Sequence, residues 1–265
     1  MRYTEKEHTF AICAYKESPY LEECIQSVKR QSVRGNVVIV TSTPCEYISE
    51  LASKYEIPLF VREGKSDIAA DWNFAYACAE TELVTITHQD DVYCENYLET
   101  VLHSLQSARK PLIFFSDYGE IREEKLITSS TLLNVKKVLL FPLRYRVLWS
   151  SRFVRRRILS LGSAICCPSV TLVKCNLPKI IFESGYQSNI DWQAWEKISH
   201  LDGSFVYSNT VIMFHRIHQE SETTKIIESS NRTKEDYDMY CKFWPQWIAR
   251  ILIKLYAKSQ ESNTI

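Results

Sequence analysis

Five short apolar runs, separated by segments of helical periodicity, constrain this chain more than any other feature. They are Thr9–Cys13, Val37–Val40, Leu59–Val61, Leu83–Thr87 and Leu112–Phe115. Between them lie helix-forming segments: one after Ser18 and Pro19, one after Pro44 that ends near Tyr55, then Ile68–Ala79 and Glu95–Ala108. In the first, Leu21, Cys24, Ile25 and Val28 share a face and Glu22 and Glu23 occupy the first turn, with Ser18 as the expected cap. Apolar runs this short read as buried strands, and repeated strand–helix units build a mostly parallel sheet covered on both faces. The expected fold class is α/β.

The fourth run ends in His88-Gln89-Asp90-Asp91. Ligands of open α/β sheets bind just beyond the carboxyl ends of the strands. Adjacent carboxylates repel one another unless a cation sits beside them. Hard oxygen ligands without cysteine or histidine pairs nearby suit Mg²⁺ or Mn²⁺ holding a phosphate better than Zn²⁺. An acidic turn with no ligand has the same local sequence, so the pair gains meaning only from its neighbours.

The second half is less regular. Residues 125–160 read as mainly helical, Gly162 to Val173 as a turn and strand, Asp191–His200 as a helix, and Phe205–Tyr207 and Val211–Arg216 as two strands. The tail from Thr233 reads as helical with a break near Pro245. Net charge is zero, yet Lys125 to Phe182 holds eleven Lys or Arg and no Asp or Glu, leaving the rest at minus eleven. Such a region is expected to face something anionic. The segment around Arg144-Tyr145-Arg146 and Arg155-Arg156-Arg157, interleaved with Phe141, Trp149 and Phe153, reads as a solvated face or a peripheral membrane contact. No nucleic acid is expected, because no nucleic-acid-binding motif accompanies the charge. The nine scattered cysteines include no C-x-x-C pair, which excludes a zinc ribbon or redox motif and suggests a reducing compartment. No run reaches the length of a membrane span, and the N-terminus lacks an apolar signal core. A cytoplasmic location, with possible contact at the inner face of the cell membrane, is the expectation.

Taken in order, the motifs resemble family 2 glycosyltransferases of the GT-A fold over roughly residues 8 to 225. Ala14-Tyr15-Lys16-Glu17 is similar to the family's first-strand turn, and His88-Gln89-Asp90-Asp91 to its Asp-x-Asp-Asp motif. Asn73 stands fifteen positions before His88, where the family has an Asn. Asn189-Ile190-Asp191-Trp192 resembles the helix start that bears a catalytic Asp. Arg216-Ile217-His218-Gln219-Glu220-Ser221 resembles the closing Arg-x-His-x-x-Ser segment. In two places the chain departs from the family: Thr41-Ser42 replaces an Asp that reads the nucleobase, and His88 replaces the first Asp of the acidic motif.

The resemblance implies a GT-A-type nucleotide-binding α/β/α sandwich with a mostly parallel central sheet and a helical C-terminal extension. Residues 1–125 would be the nucleotide-sugar half, 126–230 the acceptor-side half with a basic insertion, and 231–265 a helical tail. It implies a metal-dependent, inverting transfer from a nucleotide sugar, expected to be a UDP-sugar, to a hydroxyl of a glycan or lipid-linked acceptor. Asp191 would be the catalytic base. Asp90 and His218 would hold Mn²⁺ or Mg²⁺, with Asp91 supporting the turn. Ala14, Tyr15, Glu17, Thr41, Ser42, Lys65, Asp67, Trp72, Asn73, His88, Gln89 and Arg216 would contact the donor, and Gly162 and Ser163 the acceptor side. Cys166 and Cys167 are not expected to be nucleophiles. Two rivals stand beside this: a silent glycan-binding scaffold on the same fold, and a sugar nucleotidyltransferase, which would need a Gly-rich loop that Ala14–Ser18 lacks.

Overall fold

The computed structural model of the protein describes residues 3–218 and 230–261, so Gln219, Glu220 and Ser221 of the closing motif and residues 262–265 of the tail lie outside the described residues. The first half runs β1 (His8–Ala14), α1 (Leu21–Lys29), β2 (Asn36–Thr41), α2 (Glu46–Lys54), β3 (Leu59–Val61), α3 (Ile68–Cys78) and β4 (Leu83–His88). After it come β5 (Val92–Tyr93), α4 (Tyr97–Gln106), β6 (Pro111–Arg122), β7 (Lys125–Ile127), α5 (Thr131–Leu140) and α6 (Arg152–Leu159). The chain continues through β8 (Thr171–Val173), α7 (Ile190–Ser199), β9 (Ser204–Ile217), α8 (Ser230–Cys241) and α9 (Gln246–Glu261), with Pro245 between the last two helices.

Among the described residues the strands form one sheet of order β3-β2-β1-β4-β8-β6-β9-β5, with β7 off this path and paired to the end of β6. Pairings β3–β2, β2–β1, β1–β4 and β6–β9 are parallel and carry most of the register, while β8 sits antiparallel between β4 and β6. The sheet is therefore α/β and mixed, and it continues across the expected halves. Leu83, Val84 and Ile86 of β4 and Phe10, Ala11 and Ile12 of β1 are buried, as strands covered on both faces require. On α1 the predicted stripe of Leu21, Cys24, Ile25 and Val28 is buried.

Three local readings change. Ser18 does not cap α1, whose first residue is Leu21 after Tyr20; its hydroxyl instead donates to Asp90 at 2.9 Å. The strands expected at Phe205–Tyr207 and Val211–Arg216 are one strand, β9, and β6 is far longer than Leu112–Phe115. Bulges near Ser116 and Asp117 let these two long strands stay paired while they bend. Alternating apolar windows seen separately give no sign that a bulge joins them.

The basic segment also divides. Arg155 is fully buried; its Nη2 donates to the Leu201 carbonyl at 2.9 Å and its guanidinium lies 5.3 Å from the Phe205 ring. Burial lowers its pKa to about 10, so it stays charged at neutral pH. Arg156 pairs with Glu196 at 2.7 Å. Only Arg157 of this triplet faces outward, over Phe153 and Trp244. Arg155→Ala is expected to cost about 3 kcal/mol, because the buried stem leaves a cavity and Leu201 loses a donor. Arg157→Ala should stay within about 0.5 kcal/mol, as exposed substitutions do. Urea midpoints of the two variants measure the difference, and equal midpoints would contradict the division.

Candidate active site

The carboxyl ends of β1, β2 and β4 open into a cleft of about 570 Å³. Its walls carry Ala14, Tyr15, Glu17, Thr41, Asp67, Trp72, His88, Gln89, Asp90, Ser163, Asp191, Arg216 and His218. Four expected site residues, Ser42, Lys65, Asn73 and Gly162, do not line it.

The Asp-Asp turn splits into two roles. Asp91 is fully buried and accepts from His215 Nδ1 and the Arg216 backbone N–H, both at 2.9 Å. Burial opposes its ionisation, but the charge and hydrogen bond of His215 outweigh it, and the Asp91 carboxyl is held below its usual range. The same contact lifts His215 above its ordinary value against burial. Asp90 points the other way. Its Oδ1 accepts from Ser18 and its Oδ2 lies 3.2 Å from His218 Nε2. Arg216 is nearly buried; Nε donates to the Asp90 carbonyl at 3.1 Å and Nη1 to Glu124 at 3.0 Å, and it also pairs with Glu23. Its guanidinium stacks 4.4 Å from the Tyr20 ring. Arg216 lines the cleft, but its donors are largely committed to protein acceptors.

His88 stacks on Trp72 with ring centroids 4.9 Å apart, and burial lowers its pKa. Nε2 of His88 and Oδ2 of Asp91 have no hydrogen-bond partner among the described residues. Asp91 Oδ2 lies 3.8 Å from His88 Nδ1, an ion-pair distance beyond hydrogen-bond reach. Gln89 pairs both ways with the Tyr15 backbone, accepting from N–H at 2.9 Å and donating to C=O at 3.1 Å. That clasp sets the distance between the β1 and β4 ends.

Asp191, in the first turn of α7, also lines the cleft, and its Oδ1 accepts the Trp192 N–H at 2.7 Å. Burial raises its carboxyl to about 6, against the Trp192 N–H and the charges of Lys136 and Arg232. Cys166 and Cys167 are driven well above the ordinary thiol range by burial, so neither supplies a thiolate.

The sequence profile of Glycosyl transferase family 2 matches residues 9–177, more than half of the chain. The chain belongs to that family. This family 2 glycosyltransferase has the fold of the mannosyltransferase PcManGT from Pyrobaculum calidifontis in complex with GDP-Man and Mn²⁺, at 14% identity and TM-score 0.65. The match covers 95% of this chain and 70% of that one. S. aureus TarS 1-349 in complex with UDP-GlcNAc matches at 13% identity and TM-score 0.61, over 93% and 70%. Glucosyl-3-phosphoglycerate synthase from Mycobacterium tuberculosis, in complex with phosphoglyceric acid, matches at 11% and 0.56, over 90% and 80%. No curated protein sequence matches significantly.

Within this glycosyltransferase several expected donor contacts have other work. Asn73 ties α3 to the loop before α7: Oδ1 accepts from Ile181 at 2.9 Å and Phe182 at 3.1 Å, and Nδ2 donates to the Phe182 carbonyl. Lys65 is exposed, and its carbonyl receives Arg62 at 2.7 Å. Asp67 reaches the cleft edge but caps α3 by accepting the Ala70 N–H at 2.8 Å. Gly162 is buried and supplies a φ of +147° that lets Ser163 reach the wall. Ser42 donates to Asp71 at 2.8 Å, and Asp71 also pairs with Arg62 at 2.6 Å.

Asp71, Lys136 and Arg232 also line the cleft and were missed. Asp71 stood in a helix's first turn, where an acid is ordinary. Lys136 stood in a run of basic residues taken as a surface, and Arg232 in the tail helix. A carboxyl raised to about 6 binds its proton more tightly in the folded state than in the unfolded one. Stability therefore falls as pH rises through the interval between its usual range and about 6, and the full penalty applies above that. Asp191→Asn removes that penalty and keeps the acceptor for Trp192. It should stabilise the fold by at most about 3 kcal/mol near pH 7.5, with the gain vanishing near pH 4. Thermal melts at the two pH values check this; equal gains at both would refute the raised carboxyl.

Proposed function

We propose that the chain moves a sugar from a nucleotide sugar to a hydroxyl of a glycan or lipid-linked acceptor, with inversion at the anomeric carbon. The observation that carries this is that one cleft is lined by Asp90 and His218, which lie 3.2 Å apart, and also by Asp191. A carboxylate that titrates near 6 is ionised at neutral pH yet basic enough to accept a proton from an attacking hydroxyl. Inversion is the reading we attach to Asp191 as the base: among the described residues Asp91 and Asp71 are engaged by protein groups and Cys166 and Cys167 stay protonated.

Asp90 and His218 fit a divalent cation as two of its ligands. Among the described residues no group of three His, Cys, Asp or Glu could hold one. That incompleteness suits Mg²⁺ or Mn²⁺, which keep waters and take substrate phosphates as further ligands. When bound there, such an ion supplies positive charge to the leaving diphosphate. Trp72 and His88 hold the β4 end, and Tyr15 and Glu17 flank the expected nucleoside position. For the base, Asp71 supplies from α3 the carboxylate that Thr41-Ser42 lacks. A carboxylate there can accept the N3–H of uracil; guanine also offers a ring N–H, whereas cytosine offers none. A thermal-shift panel of UDP, GDP and CDP with Mn²⁺ therefore tests the proposed uridine donor, and a shift by GDP alone would overturn it.

Asp90→Asn is expected to abolish Mn²⁺-dependent nucleotide binding while the melt of the free protein is retained. Asp191→Asn should leave that binding within twofold and lower turnover by about 10² or more. Calorimetry and a turnover assay separate the two roles. Unchanged Mn²⁺-dependent binding by Asp90→Asn would sink the cation reading.

The acid-free region supports a peripheral contact at the inner face of the membrane. Val138, Tyr145, Val147 and Phe153 are exposed beside the exposed Arg146, Arg152 and Arg157. Among the described residues no helix is long and apolar enough to cross a bilayer. Apolar side chains among cations suit an anionic interface. Changing those three arginines to Gln should weaken binding to phosphatidylglycerol vesicles by at most about 3 kcal/mol, with strong salt dependence. Wild-type protein that stays in the supernatant at physiological salt would rule the contact out.

A further inference from the structure

Three basic side chains in the cleft, Lys16, Lys136 and Arg232, have no role in the chemistry above; the last two come from parts of the chain distant from each other and line it near Asp191. Lys136 belongs to the acid-free stretch, yet it points inward: its Nζ donates to the Tyr118 hydroxyl at 2.7 Å and lies 5.1 Å from that ring. Its neighbour Lys137 turns the other way, to the Thr128 carbonyl. Arg232 comes from α8, beyond the segment that the family profile matches.

The position of Arg232 is built. The Glu235 carboxylate receives the backbone N–H groups of Gln187, Ser188 and Asn189, at 2.7, 2.9 and 3.2 Å, and the Ser188 hydroxyl. Asp236 receives the Asn189 amide at 2.7 Å. These contacts clamp α8 onto the segment that starts α7. Arg232, one turn before Glu235, is thereby brought into the cleft that Asp191 lines. Its side chain is 17% exposed, its nearest paired carboxylate is Asp236 at 4.0 Å, and its Nε has no hydrogen-bond partner among the described residues. A largely buried guanidinium held so loosely carries a desolvation cost that a bound anion would offset.

We infer that Lys136 and Arg232 form an oxyanion subsite beside Asp191, and that it takes a phosphate or carboxylate carried by the acceptor. This rests on the reading of Asp191 as the base, because the base touches the acceptor hydroxyl and its neighbours meet the groups next to that hydroxyl. The guanidinium offers a planar fork to two oxygens and the ammonium a point charge, a pairing suited to a tetrahedral or planar anion. Donor diphosphate is assigned to Asp90 and His218. The subsite also acts on the base. Both cations hold the Asp191 carboxyl down against burial, so an anion that neutralises them leaves Asp191 a stronger base when the acceptor is in place.

Glycerol phosphate, with glycerol as the neutral control, is the probe. It is titrated calorimetrically into the full-length protein, free and saturated with the nucleoside diphosphate and Mn²⁺. Glycerol phosphate should bind in both states and glycerol in neither. Lys136→Gln and Arg232→Gln should each weaken it roughly tenfold, as loss of one charge-assisted contact does, while Arg232→Lys weakens it less. Nucleotide affinity should change by less than twofold in each variant that retains a cooperative melt. Absence of glycerol phosphate binding, or equal binding by the Gln variants, overturns the subsite. Displacement of glycerol phosphate by the nucleotide also overturns it, since the cations would then serve the donor. If no nucleotide binds at all, the glycosyl-transfer reading fails, while the free-protein titration still decides whether Lys136 and Arg232 bind an oxyanion.

Discussion

The carboxylate of Asp91 is where two separately built parts of the sheet meet. It lies at the end of β4 and grips residues at the end of β9, more than a hundred positions later, through the His215 ring and the Arg216 backbone. The short strand β5 continues the join by pairing Val92 with Phe214 and Tyr93 with Met213. A buried carboxylate with no counter-group would cost several kcal/mol, so the contact ties the β4 turn to β9 wherever both strands are formed. Asp90, the next residue back, is left facing the opposite way, toward His218. One acid thus holds the frame and its neighbour remains available to a ligand.

That division explains why the acidic pair was legible and its context only partly so. An apolar strand ending in carboxylates marks a cleft from local pattern alone, and β1 to β4 lie where their apolar runs stand. Pairing over long separations leaves no such mark. Nothing near Asn73 distinguishes a donor ligand from a residue that holds Ile181 and Phe182 in place, since both uses need an amide on the same helix face. Within Arg155-Arg156-Arg157, helical rotation sends one guanidinium inward, one to Glu196 and one outward, although the three letters are identical. Ser18 has the composition of a cap, yet its oxygen accepts the Tyr20 N–H at 3.3 Å, ahead of α1, while its proton goes to Asp90.

The missing nucleobase acid shows the same limit from the other side. Thr41-Ser42 at the end of β2 looks like a loss when the chain is read in order. In space Ser42 donates to Asp71, so a carboxylate stands beside the vacated position, supplied by α3 and steadied by Arg62. A charge that a site requires can be delivered from any element that reaches it, and motif order records only one of the routes.

The two walls of the cleft differ in how they are made. The side proposed for the donor is built on parallel strands whose ends are fixed by backbone register and by the Gln89–Tyr15 clasp, which leaves little freedom for change. The Asp191 side depends on α5, α7 and α8, which are packed by side-chain contacts such as Glu235 on the α7 segment and Asn189 on Asp236. Side-chain clamps can be exchanged without disturbing a sheet, so variation in what the cleft accepts is cheaper on this wall. Asp191 sits on it with burial raising its proton affinity and two cations lowering it. Because those influences oppose one another, the proton affinity of Asp191 depends on what surrounds it, and under the proposed role as base an anion that neutralised Lys136 and Arg232 would strengthen it.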